Sequence, residues 1–153
     1  MIGANFNIIL LNKKLDRESR RDVYLPTRIS GVSFYHNRQS RDSKGIHSPD
    51  YTYKIRIPVN AQIESGKGYV PESQYDTLTA AEAAGYWTLH TEDIIIVLNG
   101  TTDNLQTGSI LTRQEVDALA ASNATDCIVH IIDYADNTRR GSPRVQHWRI
   151  GGA

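Results

Sequence analysis

The sequence of 153 residues has one cysteine, Cys127, and a single thiol excludes a disulfide framework. It also lacks the roughly 18 consecutive apolar residues that a membrane-spanning helix needs. The apolar run at residues 8–11 is short, and Lys13 and Lys14 follow it rather than precede it, which argues against a signal peptide. Synthesis inside a cell, without export, is therefore the expectation.

Patterns of catalytic or metal-binding residues are also scarce. None of the five histidines pairs with another His or with Cys at metal-ligand spacing: His36, His47, His90, His130 and His147. The flanking residues favour His130 as a histidine satisfied inside a core strand and Cys127 as a small buried hydrophobe. Two pairs of carboxylates, Glu92-Asp93 and Glu115/Asp117, are typical of a solvated turn and of a helix N-terminus. We therefore predict no enzymatic activity, no metal and no cofactor.

The formal net charge of zero conceals a segregated distribution. Residues 1–67 contain 12 Lys and Arg against 6 Asp and Glu, which gives +6. Residues 68–138 contain 1 against 11, which gives −10, and residues 139–153 contain 4 against none, which gives +4. Blocks of opposite charge either meet across an interface between molecules or are brought together within one molecule, and the sequence leaves both open.

Short β-forming segments separated by turn residues dominate the chain. They predict a single, mainly β domain over residues 1–153, a small β-barrel or sandwich of six to seven strands. Two capping boxes, Thr79 with Glu82 and Thr112 with Glu115, predict two short helical insertions. The chain ends in a predicted hairpin at residues 127–150. The expected core includes Ile55, Trp87 and Trp148.

Two clusters of cations lie in predicted loops. Residues 36–50 form a long polar loop that contains Arg38, Arg41 and Lys44, and a loop of this length is uncommon unless it is functional or disordered. Three further arginines surround the turn of the terminal hairpin: Arg139, Arg140 and Arg144. Such loops contact phosphates without reading base sequence, although solvated loops that merely keep a protein soluble have the same composition.

The order of these segments resembles that of head-closure, or stopper, proteins in the head–tail connector of long-tailed phages, including the minor-capsid-type neck proteins of phages of Gram-positive bacteria. The matching segments are residues 5–12, 27–35, 53–58, 87–96 and 147–152. The resemblance implies a structural virion protein, assembled in the host cytoplasm, that forms a six- or twelve-fold ring in the neck around the DNA channel. Its partners would be portal or adaptor proteins, tail-terminator proteins and packaged DNA, with no membrane.

The resemblance also implies residue roles. Arg38, Arg41 and Lys44 would line the lumen near DNA, while Arg139, Arg140 and Arg144 are candidates for contacts between subunits. The acidic helical insertions at 72–85 and 112–121 exceed what a minimal barrel needs, so stopper, adaptor and tail terminator stay open as positions in the neck.

Two functions of other classes remain. A stand-alone barrel that binds single-stranded nucleic acid would show affinity that falls steeply with salt, but zero net charge and few aromatic side chains disfavour it. A hydrolase that uses Cys127 or a carboxylate pair would need a pocket that joins Cys127 to a histidine.

Overall fold

A computed structural model describes residues 6–36, 53–98, 110–139, 141 and 145–153. The elements, in chain order, are strands and helices of very different lengths. They are β1 (Phe6–Asp16), β2 (Arg21–His36), β3 (Tyr53–Pro58), β4 (Gln62–Ile63), β5 (Gly68–Tyr69), α1 (Glu72–Tyr75), α2 (Ala80–Ala83), β6 (Tyr86–Trp87), β7 (Ile94–Leu98), α3 (Arg113–Asn123), β8 (Ala124–Asn137) and β9 (His147–Gly152). The prediction of a mainly β fold is confirmed.

Six strands form a closed antiparallel ring in the order β1-β7-β8-β9-β3-β2, because β2 pairs again with β1. The long strands make this closure possible. β2 pairs with β1 along residues 21–32 and with β3 along residues 33–36, while β8 pairs first with β7 and then with β9. Every ring strand thus has two neighbours, which removes the exposed edges of an open sheet.

The alternation of side chains places one face of each strand inside the ring. In β3, Ile55 and Ile57 are buried while Lys54 and Arg56 are exposed. All five residues of β7 are buried, because its inner residues join the barrel core and its outer residues lie under α3. This two-sided burial explains why β7 is continuously apolar.

The segment between β3 and β7, here called the plug (residues 59–93), contributes side chains to the barrel core. Trp87 and Leu89 of the plug belong to the barrel core, and both are buried. The ring centroid of Trp87 lies 4.7 Å from that of Trp148 on β9 and 4.9 Å from that of Tyr69. The barrel is therefore a packed core and not an open tube.

The plug and the longest connection lie at opposite ends of the barrel. At one end, the loop end, His36 pairs with Tyr53 and Tyr53 pairs with Gly152, so β2 ends and β3 begins there. At the other, the plug end, lie the turn at residues 17–20 and the connection from β8 to β9. Antiparallel pairing fixes this arrangement.

Several local predictions are corrected by the structure. The helical insertion predicted at 72–85 contains two short helices, α1 and α2, so the described part of the chain has three α-helices where two were predicted. Leu15 and Asp16, in a charge-rich stretch of the sequence, pair with Asp22 and Arg21 in a hairpin. His130 was expected in the core but is exposed, since Val129 and Ile131 take the inward positions of β8.

No helix among the described residues is long and apolar enough to cross a membrane.

Candidate functional site

A cleft of about 360 Å³ opens at the plug end, between the end of β1 and the plug. Its walls carry charge of both signs. Its charged and polar side chains include Lys13, Lys14 and Arg17 on one side and Glu72, Asp76 and His90 on the other. The two sides come from distant parts of the sequence, so the cleft exists only because the plug folds back onto the barrel.

Asp93 lies directly beside this cleft and is fully buried. Its Oδ2 accepts hydrogen bonds from Asn12 Nδ2 at 2.6 Å and from the backbone N–H of His90 at 2.9 Å. Its Oδ1 accepts one from the backbone N–H of Lys13 at 2.8 Å. Asn12 also donates to the carbonyl of Thr88 at 2.7 Å, so one carboxylate and one amide join β1 to the plug.

His90 lies between two carboxylates. Its Nε2 is 3.0 Å from Asp76 Oδ1, and its Nδ1 is 3.5 Å from Asp93 Oδ1, a separation longer than an ordinary hydrogen bond. Burial by itself would lower the pKa of His90, but Asp93 and Asp76 outweigh it and raise the pKa to about 8. Burial raises the pKa of Asp93, and the N–H donors and the imidazole oppose that rise.

The other charged side chains of the cleft are also held by neighbours. Lys14 Nζ donates to the carbonyl of Tyr75 at 3.0 Å and lies 5.2 Å from the centroid of that ring, and burial lowers the pKa of Lys14. The Tyr134 hydroxyl donates to Glu72 Oε2. Burial and this carboxylate raise the pKa of Tyr134. Lys14 and Glu72 thus have partners within the molecule, whereas Nδ1 of His90 has no hydrogen-bond partner among the described residues.

Glu72, Asp76 and His90 each offer one ligand atom to a divalent cation, and these atoms lie within 4.8 Å of one another. The set supplies three donors, one fewer than a closed structural zinc site. Glu72 already accepts the Tyr134 hydroxyl, and Lys14 and Arg17 line the same cleft. The surroundings therefore favour internal ion pairs over a metal.

The same geometry offers little to a general base. His90 Nε2, the nitrogen that faces the cleft, is bound by Asp76, and no described Ser, Thr or Cys side chain forms a hydrogen bond with the ring. The interaction of a base with a nucleophile is the first requirement of hydrolytic catalysis of this kind. Within the described residues, the interactions among Asp93, His90 and Asp76 are best understood as structural contacts that hold the plug against the barrel.

The structure places only some of the predicted site residues. Arg38, Arg41, Lys44, Arg140 and Arg144 lie outside the described residues, as does the side chain of Cys127. Arg139 is exposed at the plug end, in the connection from β8 to β9.

Ile55 and Trp87 are buried in the core, and Trp148 packs half-buried against it. The charge blocks meet in part within one molecule: Lys13 of the basic first block pairs with Glu92 of the acidic block at 3.3 Å.

Sequence reasoning missed Asp93. The adjacent acids Glu92 and Asp93 were predicted to form a solvated turn, which holds for Glu92 but is wrong for Asp93. The available signal was position: Asp93 directly precedes the fully apolar β7, and the segment before it contains Trp87 and Leu89. An acid enclosed by two buried segments is expected to have N–H partners.

The chain belongs to a family described as a family of unknown function (DUF6751), whose model matches residues 3–153. No curated protein matches the chain, and no solved structure does either.

Proposed function

We propose that the chain is a non-enzymatic structural protein of the virion of a long-tailed phage, a ring component of the head–tail connector at the head-closure position. The observation that carries the proposal is the closed antiparallel barrel with one long insertion between β2 and β3. The resemblance implies both a small barrel and an insertion at this place in the strand order. The insertion contains Arg38, Arg41 and Lys44.

The filled interior bears on where DNA would pass in the proposed ring. Because Trp87, Leu89 and Trp148 occupy the barrel, no duplex fits through one molecule. A DNA channel would therefore lie between several copies arranged in a ring, with the insertion of each copy directed to the lumen. Contacts that close such a ring are heterologous, with one surface of a copy against a different surface of the next.

The two ends of the barrel supply different surfaces for neighbours in the virion. The loop end carries the insertion, and the plug end carries Arg139 and the cleft. A ring of such subunits is polar along its axis. One rim would face the portal or adaptor and the other the tail terminator, as a connector ring requires.

The test is to inactivate the gene in a phage that encodes the chain and to examine the lysate by negative-stain electron microscopy. We expect heads that lack tails and have lost DNA, and recovery of infectious particles when the wild-type chain is supplied in trans. Normal, infectious tailed particles would overturn the proposal. Closed, filled heads beside tails of abnormal length would overturn the head-closure position in favour of a tail terminator.

Native mass spectrometry of the purified chain mixed with the portal protein of the same phage provides a second readout. A complex with six or twelve copies of the chain supports the ring. A chain that stays monomeric and never joins portal or tail proteins contradicts it, and the monomer measured alone serves as the reference.

A further inference from the structure

A short segment of the plug packs against the barrel at the plug end. It runs from residue 70 to residue 85, contains α1 and α2, and is here called the lid. Each of its helices has four residues. Helices this short are not stable in isolation, so the lid keeps its structure only while it packs against the barrel.

The apolar side of the lid forms a small cluster that is separate from the barrel core. Tyr75 and Ala83 are fully buried, and they pack with Val70 and with one strand residue, Leu25 of β2. Local opening requires less free energy where few apolar side chains are buried. We therefore expect the lid to open without unfolding of the barrel.

Polar contacts from three other parts of the chain hold α1 and Asp76, the residue that follows it. They are Lys14 Nζ of β1 with the carbonyl of Tyr75 at 3.0 Å, the Tyr134 hydroxyl of β8 with Glu72, and His90 Nε2 with Asp76 Oδ1 at 3.0 Å. The ordinary pKa of His90 is 6.5, against 10.5 for Lys14 and 10.0 for Tyr134. The contact of His90 with Asp76 therefore responds first when the pH rises.

We propose that the lid is a latch that opens locally from the barrel, and that the charged pair of His90 with Asp76 holds it closed. Asp76 belongs to the lid, whereas His90 lies outside it, beside the fully buried Asp93. Opening thus separates Asp76 from the imidazole. A protonated ring opposes this separation more strongly than a neutral ring does, because its net charge attracts the carboxylate. The latch works within one molecule and does not depend on the proposed function.

Ionisable groups face His90 from every element around it. They are Glu72, Tyr75 and Asp76 of the lid, Lys13, Lys14 and Arg17 of β1 and the turn after it, and Glu92 and Asp93 before β7. Burial opposes the charge of His90, but Asp93 and Asp76 outweigh burial and raise its pKa to about 8. The contribution of the pair is therefore complete near pH 6 and is lost as the pH rises through 8.

Opening of the lid changes the surface of the plug end. Tyr75 leaves Leu25, which uncovers apolar side chains, and Glu72 and Asp76 leave the wall of the cleft. Rising pH should therefore increase the fraction of molecules that expose this apolar surface.

Amide hydrogen exchange of the full chain, corrected at each pH for the intrinsic exchange rate, measures the opening. The backbone N–H groups of Tyr75, Ala83 and Ala84 form hydrogen bonds within the lid and report on it, while the amides of β1 should be more strongly protected. Between pH 6 and 9 the opening constant of the lid should rise about two- to fivefold. The rise is smaller than the whole change in pKa allows, because Asp93 stays beside His90 in both states.

Asp76→Asn and His90→Gln should each raise the opening constant at pH 6 by the same factor and lose most of its pH dependence. The double variant should show no further rise, since both changes remove one interaction. Glu92→Gln, which changes another exposed acid of the same cleft, is the matched control and should keep the pH dependence of the wild type.

Equal protection of lid and β1 amides at pH 9 would overturn the inference, because the lid would then open only with the barrel. A pH dependence that persists unchanged in Asp76→Asn, or effects that add in the double variant, would overturn the role of the pair. The Asp76 side chain is 59 % exposed, so Asp76→Asn keeps the test decisive even if His90→Gln fails to fold.

Discussion

At the scale of single residues, the buried carboxylate of Asp93 has the strictest requirement for hydrogen-bond donors. It receives N–H groups from Asn12, from His90 and from the backbone of Lys13. Asp93→Ala would leave these donors unmatched in the interior, where each unsatisfied group costs about 1–3 kcal/mol. We expect the free energy of unfolding to fall by about 3–5 kcal/mol, measured by urea denaturation.

Glu92→Ala is the matched control for Asp93→Ala, because the neighbouring carboxylate is mostly exposed and pairs only with Lys13. An exposed pair contributes about 0–1 kcal/mol. A midpoint of Asp93→Ala equal to that of Glu92→Ala would contradict the role assigned to Asp93.

His90 makes stability depend on pH. Its ordinary pKa of 6.5 applies to the unfolded chain, and the folded pKa is about 8, so the imidazolium is favoured by folding. Its contribution is complete below pH 6.5 and is lost as the pH rises through 8. The loss should be about 1 kcal/mol, less than the full shift implies, because Asp76 is open to water.

The measurement is the free energy of unfolding of wild type and His90→Gln between pH 6 and 9. The difference between the two curves removes the contribution of the other histidines. Parallel curves for the two proteins across this window would show that His90 does not titrate as described.

The local sequence alone did not predict the positions of all these residues correctly. Asp93 lies just before β7 and was misplaced because two of its hydrogen-bond donors, Asn12 and the backbone of Lys13, are distant in the sequence. His130 was misplaced because the inward or outward direction of a strand residue depends on register with a distant strand. In β8, the pairing of Ile96 with Ile128 and of Ile94 with His130 puts His130 outside. The apolar residues on both sides of His130 do not reveal this, because Ile128 and Ile132 are themselves partly exposed.

At the scale of elements, β9 approaches β8 so closely that Gly152 has no room for a side chain. A Cβ on Gly152 would lie 2.4 Å from Val129 Cγ1 and 2.7 Å from the carbonyl oxygen of His130. Gly152→Ala should therefore lower the free energy of unfolding by about 1–3 kcal/mol. Gly68→Ala is the control, since the nearest atom would be 3.9 Å away; equal unfolding midpoints for the two variants would refute the close contact.

Elements stabilised by neighbouring residues in the sequence were predictable, and elements stabilised by residues far away in the sequence were not. The capping box of Thr79 and Glu82 forms as predicted at the start of α2, with both reciprocal hydrogen bonds present. Helix α1 has no side-chain cap and contributes one buried residue, Tyr75. β4 and β5 are two residues long and exist through pairing with β2 and β6.

At the scale of the whole molecule, composition and spacing predicted a small barrel but not its plug. The plug contains Pro71, α1 and α2, and in sequence it resembles a surface connection. Its place inside follows from Trp87 and Leu89, whose burial requires the inner faces of strands far apart in the chain. Burial that depends on contacts between residues far apart in the chain leaves no pattern in the local sequence.

In the closed ring, the residues needed for folding are expected to differ from those proposed to act in head closure. Because His36 and Tyr53 are paired, residues 37–52 start and end on adjacent strands, and the barrel should fold with a short linker in their place. Replacing these 16 residues by four Gly and Ser residues should keep or raise the free energy of unfolding, by about 1 kcal/mol, since shorter loops cost less entropy.

The same variant, supplied in trans to phage that lack the gene, should give particles that do not retain DNA. Urea denaturation and the yield of DNA-filled particles measure the two effects. A variant that unfolds more easily would show that the insertion supports the barrel, and one that restores infectious particles would remove the insertion from head closure.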